Sequence, residues 1–432
     1  MESPLRITLA AAAAAALLCP AAAAAQTYPE PKEPGKIAPK PKGPFETHTV
    51  CKQRQRCDFR TIQAAVNAAD AGDKVAVRPG TYRESVTIAG RGKRYLRIVG
   101  NPSKPGRVVL DGRNKKQNGF FVNGADEVTI SGFKARDYRA NGFFVVNNVG
   151  YKLTNLYADH TGVYGVYAFN SKGGEMSRSK ARYHSDAGFY IGQTPQQSNP
   201  IRSVVRDVES WGNPIGFSAT NMRYVTITRS KFFNNGIGVV PNALESEKFP
   251  PAEENVITNN DIFWNNFNFH AGAPFKPKKT GVVPLVPIGT GVLLLGGRGN
   301  RIEDNRIFGN YLIGAAAVEG ILLDKTLEAR ALADNLVSGN RFGAGGEDRN
   351  GRDLAYDGNG TNNCWGPNEG VLTTLPGHPA AFPACPFGGA NTFDKASQDE
   401  LLGYAGPASV GAWIKYPHKA RSDAKPLEVY KK

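Results

Sequence analysis

The sequence predicts an all-β fold, a single-stranded right-handed parallel β-helix with a short N-terminal capping helix. Three observations lead there. Glycine recurs at a fixed period: Gly119, Gly142, Gly165 and Gly188 follow at intervals of 23 residues, Gly216 and Gly238 at 28 and 22, and Gly291 and Gly314 are again 23 apart. Each glycine precedes an apolar run, as in Phe120–Val122, Phe143–Val145, Val166–Ala168 and Phe189–Ile191, and a second run sits mid-repeat at 128–130, 151–153 and 225–227. No long helical pattern separates the runs. Short strands at a fixed repeat cannot bury a face alone, so neighbouring repeats stack into a solenoid.

The elements follow in chain order. Residues 1–25 read as a secretory signal peptide, with Arg6 before an apolar run and small residues ahead of Gln26. The run is too short and alanine-rich for a membrane anchor, so the expectation is a secreted protein with no membrane span. Residues 26–47, rich in Pro and Lys, read as a disordered or extended linker. A helix is expected between Cys51 and Ala69, with Phe59, Ile62, Val66 and Ala69 on one face and Asp58 as its N-cap. It would cover one open end of the coil, which otherwise exposes unpaired strand edges. The coil is expected over 48–345, and residues 346–432 as a disulfide-bearing tail.

Export governs the cysteines. Cys51, Cys57, Cys364 and Cys385 remain after the signal, and the expected disulfides are Cys51–Cys57 and Cys364–Cys385. Without C-x-x-C spacing or nearby histidines, a metal site is not the reading. No cofactor is assigned, and calcium is the one cation left open. The chain carries a net charge of +15, which favours polyanions by long-range attraction. With an export signal and no nucleic-acid motif, the expected partner is an acidic polysaccharide or cell-wall glycan rather than nucleic acid, met by a monomer.

Stretches of the chain resemble a known group. Thr61–Val66, Gly72–Val75 and Arg78–Tyr82 are similar to the N-terminal segment of pectin-lyase-like β-helix proteins. Ser185–Gln193 resembles a motif of right-handed parallel β-helix repeat proteins of the NosD-like, carbohydrate-binding and sugar-hydrolase group. The resemblance covers roughly 51–320 and implies the fold. That group includes pectate lyases, polygalacturonases, alginate lyases, mannuronan epimerases and non-catalytic members. One fold hosts many activities, so function is argued from the residues.

Aligning repeats on their glycines predicts which side chains stack. Asn147, Asn170, Gln193 and Asn221 fall in register as an amide ladder. With the residue after each glycine inward, the next points outward, giving a column Phe121, Phe144, Tyr167, Tyr190. An exposed aromatic strip of this kind stacks sugar rings; the competing reading buries it beneath the tail or a loop. Beside the strip, the turns carry Asp137-Tyr138-Arg139, Asp159-His160, Arg182-Tyr183-His184-Ser185-Asp186 and Trp211. His160 and His184 are expected one rung and one position apart, about 6 Å. A polyuronate lyase needs a base, a cation for the carboxylate and an acid for the leaving oxygen. His160 or His184 suits the base, Arg182 or Arg139 the cation, and Tyr183 or Tyr190 the acid. Asp137, Asp159 and Asp186 are the carboxylates a hydrolase would need, but their register sets Asp159 and Asp186 apart, which favours lyase or epimerase chemistry. Phe121, Phe144, Tyr167, Tyr190, Arg139 and Trp211 are the expected substrate contacts. Three readings follow: lyase-like catalysis on an acidic polysaccharide, binding without catalysis, and a purely structural solenoid.

Overall fold

A computed structural model describes residues 35–52, 57–244, 247–270, 285–320, 331–346 and 348–413. The expected signal peptide, residues 1–25, and the last basic residues lie outside the described residues. The chain winds through three sheets in turn, and every strand pairing within them is parallel. One full turn illustrates the path: Val128–Ser131 in the first sheet, Lys134–Arg136 in the second, Asn141–Val146 in the third, and then Val149–Thr154 back in the first. The three sheets hold 12, 10 and 11 strands. This is the right-handed parallel β-helix expected from the repeat.

Inward side chains form continuous columns. In the first sheet, Ile98, Ile130, Leu153, Met176, Val205, Ile227 and Ile257 stack rung upon rung, all buried. In the third, Phe120 lies on Phe143 with ring centroids 5.9 Å apart. The periodic glycines open the third-sheet strands for a steric reason. A Cβ on Gly119 would stand 2.4 Å from the Gly142 carbonyl oxygen, and one on Gly165 2.5 Å from that of Gly188. Any larger residue would push successive rungs apart.

The capping helix spans Ile62–Ala68 and buries Ile62, Ala65 and Val66 against the first rungs. Its N-cap is Thr61, whose hydroxyl accepts from Ala64 N at 3.2 Å, and not Asp58. Asp58 is spent instead on Thr49, accepting from its backbone N and its hydroxyl at 2.7 and 2.8 Å. The Glu84 carboxylate takes the next two orphan donors, Ile62 N and Gln63 N.

Two boundaries move. Residues 35–46 are laid on the coil rather than loose: Tyr95 Oη donates to Ala38 O at 2.8 Å, and Phe45 covers Gly72. The coil also runs past residue 345. Arg352–Tyr356 and Thr374–Leu375 extend the third sheet, and Cys364–Trp365 extends the first. Only then does the chain leave the coil, and helices Lys395–Leu402 and Ala408–Gly411 fold back along the third sheet. Both disulfides, Cys51–Cys57 and Cys364–Cys385, are formed. Among the described residues no helix is long and apolar enough to cross a membrane.

Candidate functional site

The outward column of the third sheet pairs as the glycine alignment requires: Phe121, Phe144, Tyr167, Tyr190 and Ser218 sit in register on successive rungs. It is not an open strip. Phe144, Tyr167 and Tyr190 are 1–3% exposed, and Phe121 is half-buried. Phe144 stacks on Tyr167 at 4.4 Å, and Tyr164 from the preceding turn closes on Tyr167 and Tyr190 at 4.7 Å each. Phe267, Phe269, Val286 and Ile288 from the insertion complete the cover. Trp413 fastens it by donating to Ile288 O at 3.1 Å. Burying these rings removes more apolar surface from water than leaving them for a ligand, which corrects the expectation of a sugar-stacking platform.

Two half-buried carboxyls border the same cover. Burial raises the Asp186 carboxyl to about 7, against a lowering hydrogen bond from Tyr164. Burial likewise raises Glu247 to about 8, although Tyr190 Oη donates to it at 2.8 Å.

His184 is the second correction. It is fully buried and belongs to a ladder. Thr161 N donates to His184 Nδ1 at 3.2 Å, His184 N to Asn213 Oδ1 at 2.9 Å, and Asn213 N to Asn235 Oδ1 at 3.2 Å. Asn265, Asn310 and Asn350 repeat the step on later rungs. The imidazole stands where asparagine stands elsewhere, accepting through Nδ1, and is a packing group rather than a base. The expected amide ladder forms over its first rungs, from Asn147 to Asn123, from Asn170 to Asn147 and from Gln193 to Asn170 at 3.0, 2.7 and 3.4 Å, but stops short of Asn221, whose amide donates to Leu244 O at 2.7 Å instead.

The remaining residues meet at the corner between the second and third sheets. Arg113, Asp137, His160 and Tyr183 occupy this corner on successive rungs, all with positive φ of 51–62°. Backbone bonds tie the rungs there: Asp137 N donates to His160 O and His160 N to Arg182 O, both at 3.1 Å. The turn conformation swings these side chains outward, and His160 keeps 42% of its side chain exposed. Its Nδ1 lies 2.7 Å from Asp159 Oδ1. Arg182 grips Asp159 bidentately at 3.0 and 3.1 Å, and Lys134 Nζ adds a contact at 2.6 Å. Burial alone would raise the Asp159 carboxyl, but the hydrogen bonds from His160, Arg182 and Lys134 outweigh it and hold the acid well below the usual range. A carboxylate held ionised can only accept, so the His160 proton sits on Nδ1.

Arg182 is thus a positioning residue, not a clamp for a substrate carboxylate. Its guanidinium packs against Tyr157, Tyr183 and Trp211, 4.8–5.8 Å from the ring centroids. Trp211 is 5% exposed and stacks on Phe233 at 5.7 Å, so it supports Arg182 from beneath and does not present a face to a ligand. Tyr183 meets the His160 ring edge-on at 4.8 Å. Asp137 is half-buried, 3.9 Å from Arg136 Nε. Arg139 is exposed. The aromatic column Trp211–Phe233–Phe263–Phe308, with neighbouring rings 4.9–5.7 Å apart, was not foreseen. Its rungs fall outside the 23-residue spacing, which hid the register. Among the described residues no group of three or more His, Cys, Asp or Glu side chains is disposed to hold a metal.

No protein-family model matches the chain, and no curated protein does. Solved structures do. The Azotobacter vinelandii mannuronan C-5 epimerase AlgE6 A-module aligns with a TM-score of 0.48 and 17% identity, over 72% of this chain and 90% of that one. Pectate lyase Pel9A gives 0.40 and 14%, over 77% and 78%. An alginate lyase from Paenibacillus sp. str. FPU-7 gives 0.37 and 14%, over 68% and 94%. At these identities the likeness is one of fold.

Proposed function

We propose that this chain is a secreted protein that acts on an acidic polysaccharide, by β-elimination or epimerisation of a polyuronate, at the corner around His160. The observation that carries the reading is the Asp159–His160 pair. A half-exposed imidazole is oriented through Nδ1 by a carboxylate that Arg182 and Lys134 keep ionised. A proton taken up at Nε2 produces an imidazolium stabilised by Asp159, as in other carboxylate-oriented histidines. In β-elimination, His160 removes the proton α to the uronate carboxylate, the C4–O bond breaks, a C4–C5 double bond forms, and Tyr183 protonates the leaving oxygen. In epimerisation the proton returns to the opposite face of the same carbon. Arg139 supplies the cation for the substrate carboxylate, since Arg182 is committed to Asp159.

Hydrolysis fits less well. It needs one carboxyl that keeps its proton near neutrality beside a second that does not. Asp159 is held ionised by three cationic or ring donors, and the half-buried Asp186 interacts with Tyr164 rather than pairing with Asp159. A second reading, binding without conversion, is favoured by one feature: Asp159, Arg182 and Lys134 satisfy one another within the chain.

The test is incubation of the mature protein with polyuronates and neutral glycans, reading the absorbance of unsaturated uronates, C5 configuration and chain length. Conversion of one polyuronate, lost in His160→Ala, supports the proposal. Shortened chains without absorbance would move the case to hydrolysis. Binding with no conversion of any polymer would leave the binding reading in its place.

A further inference from the structure

The positive charge of this chain is not spread evenly. Residues 74–117, about a tenth of the chain, contain twelve Lys and Arg against two Asp and Glu. They build the first rungs, next to the capping helix. Part of this excess comes out at the same corner as His160, on the rungs N-terminal to it. Arg83, Arg113, Lys115, Lys116, Arg136 and Arg139 are all exposed there. The backbone fixes their neighbourhood: Asn114 N donates to Asp137 O at 2.7 Å, and Arg139 N to Lys116 O at 2.8 Å. The segments carrying Arg113–Lys116 and Asp137–Arg139 therefore lie side by side, and His160 follows one rung on.

On the rungs of this corner that precede His160 stand three carboxylates, and each is turned to another task. Glu84 accepts from the N-terminus of the capping helix. Asp111 is buried and accepts from Arg136 and from Arg113 N, at 2.9 and 3.0 Å. Asp137 faces Arg136. Among the described residues, the side chains of Arg83, Arg113, Lys115, Lys116 and Arg139 make no ion pair or hydrogen bond within the protein. Unlike the cations of the first-sheet face, such as Arg206 with Glu175 and Arg229 with Asp207, they are not answered by neighbouring acids. A row of unanswered cations on consecutive rungs repels itself and costs stability. That cost suits a surface whose counter-charge arrives on a ligand.

We propose that this ledge is the binding track for a linear carboxylated polysaccharide, which runs along the coil axis from Arg83 towards His160. The inference rests on the proposed function and deepens it by naming where the polymer lies. Rungs rise by about 4.8 Å, close to the length of one sugar ring in an extended chain. A carboxylate on successive sugars therefore meets a cation on successive rungs. Arg113 and Arg139 offer planar forks matched to carboxylate geometry, and Lys115 and Lys116 add point charges.

The test compares two variants that lose the same charge. One removes the ledge with Arg113→Asn, Lys115→Gln, Lys116→Gln and Arg139→Gln. The control removes four exposed cations away from the corner with Lys36→Gln, Lys40→Gln, Lys42→Gln and Arg91→Gln. Affinity for polygalacturonate, alginate, dextran sulfate and neutral dextran is measured at low and high salt, with the unfolding midpoint of each variant. The ledge variant should bind the carboxylated polymers about tenfold or more weakly at low salt, with a shallower salt dependence. The control should stay within about twofold of the parent. Equal losses in both variants would overturn the track, because net charge alone would then explain binding. Unchanged affinity in the ledge variant would also overturn it, as would dextran sulfate bound as tightly as the uronates. Binding that needs the ledge but converts nothing would uphold the track while removing the catalytic reading; no binding of any acidic polymer by the parent protein would remove both.

Discussion

Asp159→Asn is the substitution that most directly probes how the corner is held together. The carboxylate accepts from His160, from two nitrogens of Arg182 and from Lys134. Asparagine keeps the shape but removes the charge and turns an NH₂ group towards donors. Breaking a buried ion network by deleting one partner costs about 3–5 kcal/mol. Here the Lys134 and Arg182 side chains keep 18% and 23% exposure and can turn towards water, so the expected loss is nearer about 2–3 kcal/mol. Equilibrium urea unfolding at neutral pH reads it as a lower midpoint at unchanged slope. The pH dependence adds a sign. The folded-state acid is held below its unfolded value of 3.8. Its contribution is therefore fully present above that value and is lost as the pH falls through the folded one. The gap between parent and variant should be constant from neutral pH down to about 5 and narrow below about 4. A variant within about 0.5 kcal/mol of the parent at neutral pH would show that the Asp159 network does not carry this stability.

Other consequences are as specific. His184→Asn should unfold close to the parent, because asparagine fills the same ladder position at Asn213 and Asn235, while His184→Ala should lose about 1–3 kcal/mol by thermal or urea unfolding. Gly165→Ala should destabilise by about 1–3 kcal/mol, since its Cβ would meet both the Gly188 carbonyl and the His184 ring at 2.5 Å. Glu247 is raised to about 8, so folding holds a proton that the unfolded chain releases above its ordinary value of 4.5. Its contribution to stability should fall as the pH rises from 4.5 to about 8 and then level off, and Glu247→Gln should flatten that part of the stability–pH curve.

The fold was legible because one steric fact repeats. Each periodic glycine lies against the carbonyl of the next rung, and this fixes both the interval and the register of Phe120, Phe143 and Phe189. The ladder of Asn147 and Asn170 was legible for the same reason. Past Asn242 the spacing becomes irregular, and the ladders through Asn255, Asn260 and Asn265 could not be aligned by interval, although the recurring asparagines were a signal. The site was half legible. The alignment brought His160 and Tyr183 to one corner correctly, but in-or-out alternation says nothing about what covers an outward face. Tyr164, Phe267 and Phe269 are the side chains that bury the aromatic strip, and they belong to a turn and an insertion without a period. His184 misled because a histidine among polar turn residues reads as chemistry. Its neighbours on adjacent rungs, Thr161 and Asn213, point instead to a ladder. Arg182 was placed in the right corner with the wrong partner, since bidentate contact with Asp159 depends on a rung-to-rung register finer than the repeat.

Proton transfer at the uronate C5 is what a base at His160 would carry out. Polyuronates incubated with the protein in D₂O are followed by NMR for deuterium at C5, inverted configuration or a C4–C5 double bond. At least one of these signals is expected with one polyuronate, lost in His160→Ala and weakened in Asp159→Asn. Signals that persist in His160→Ala would contradict that role for His160, as would no change at C5 in a polyuronate that the protein demonstrably binds.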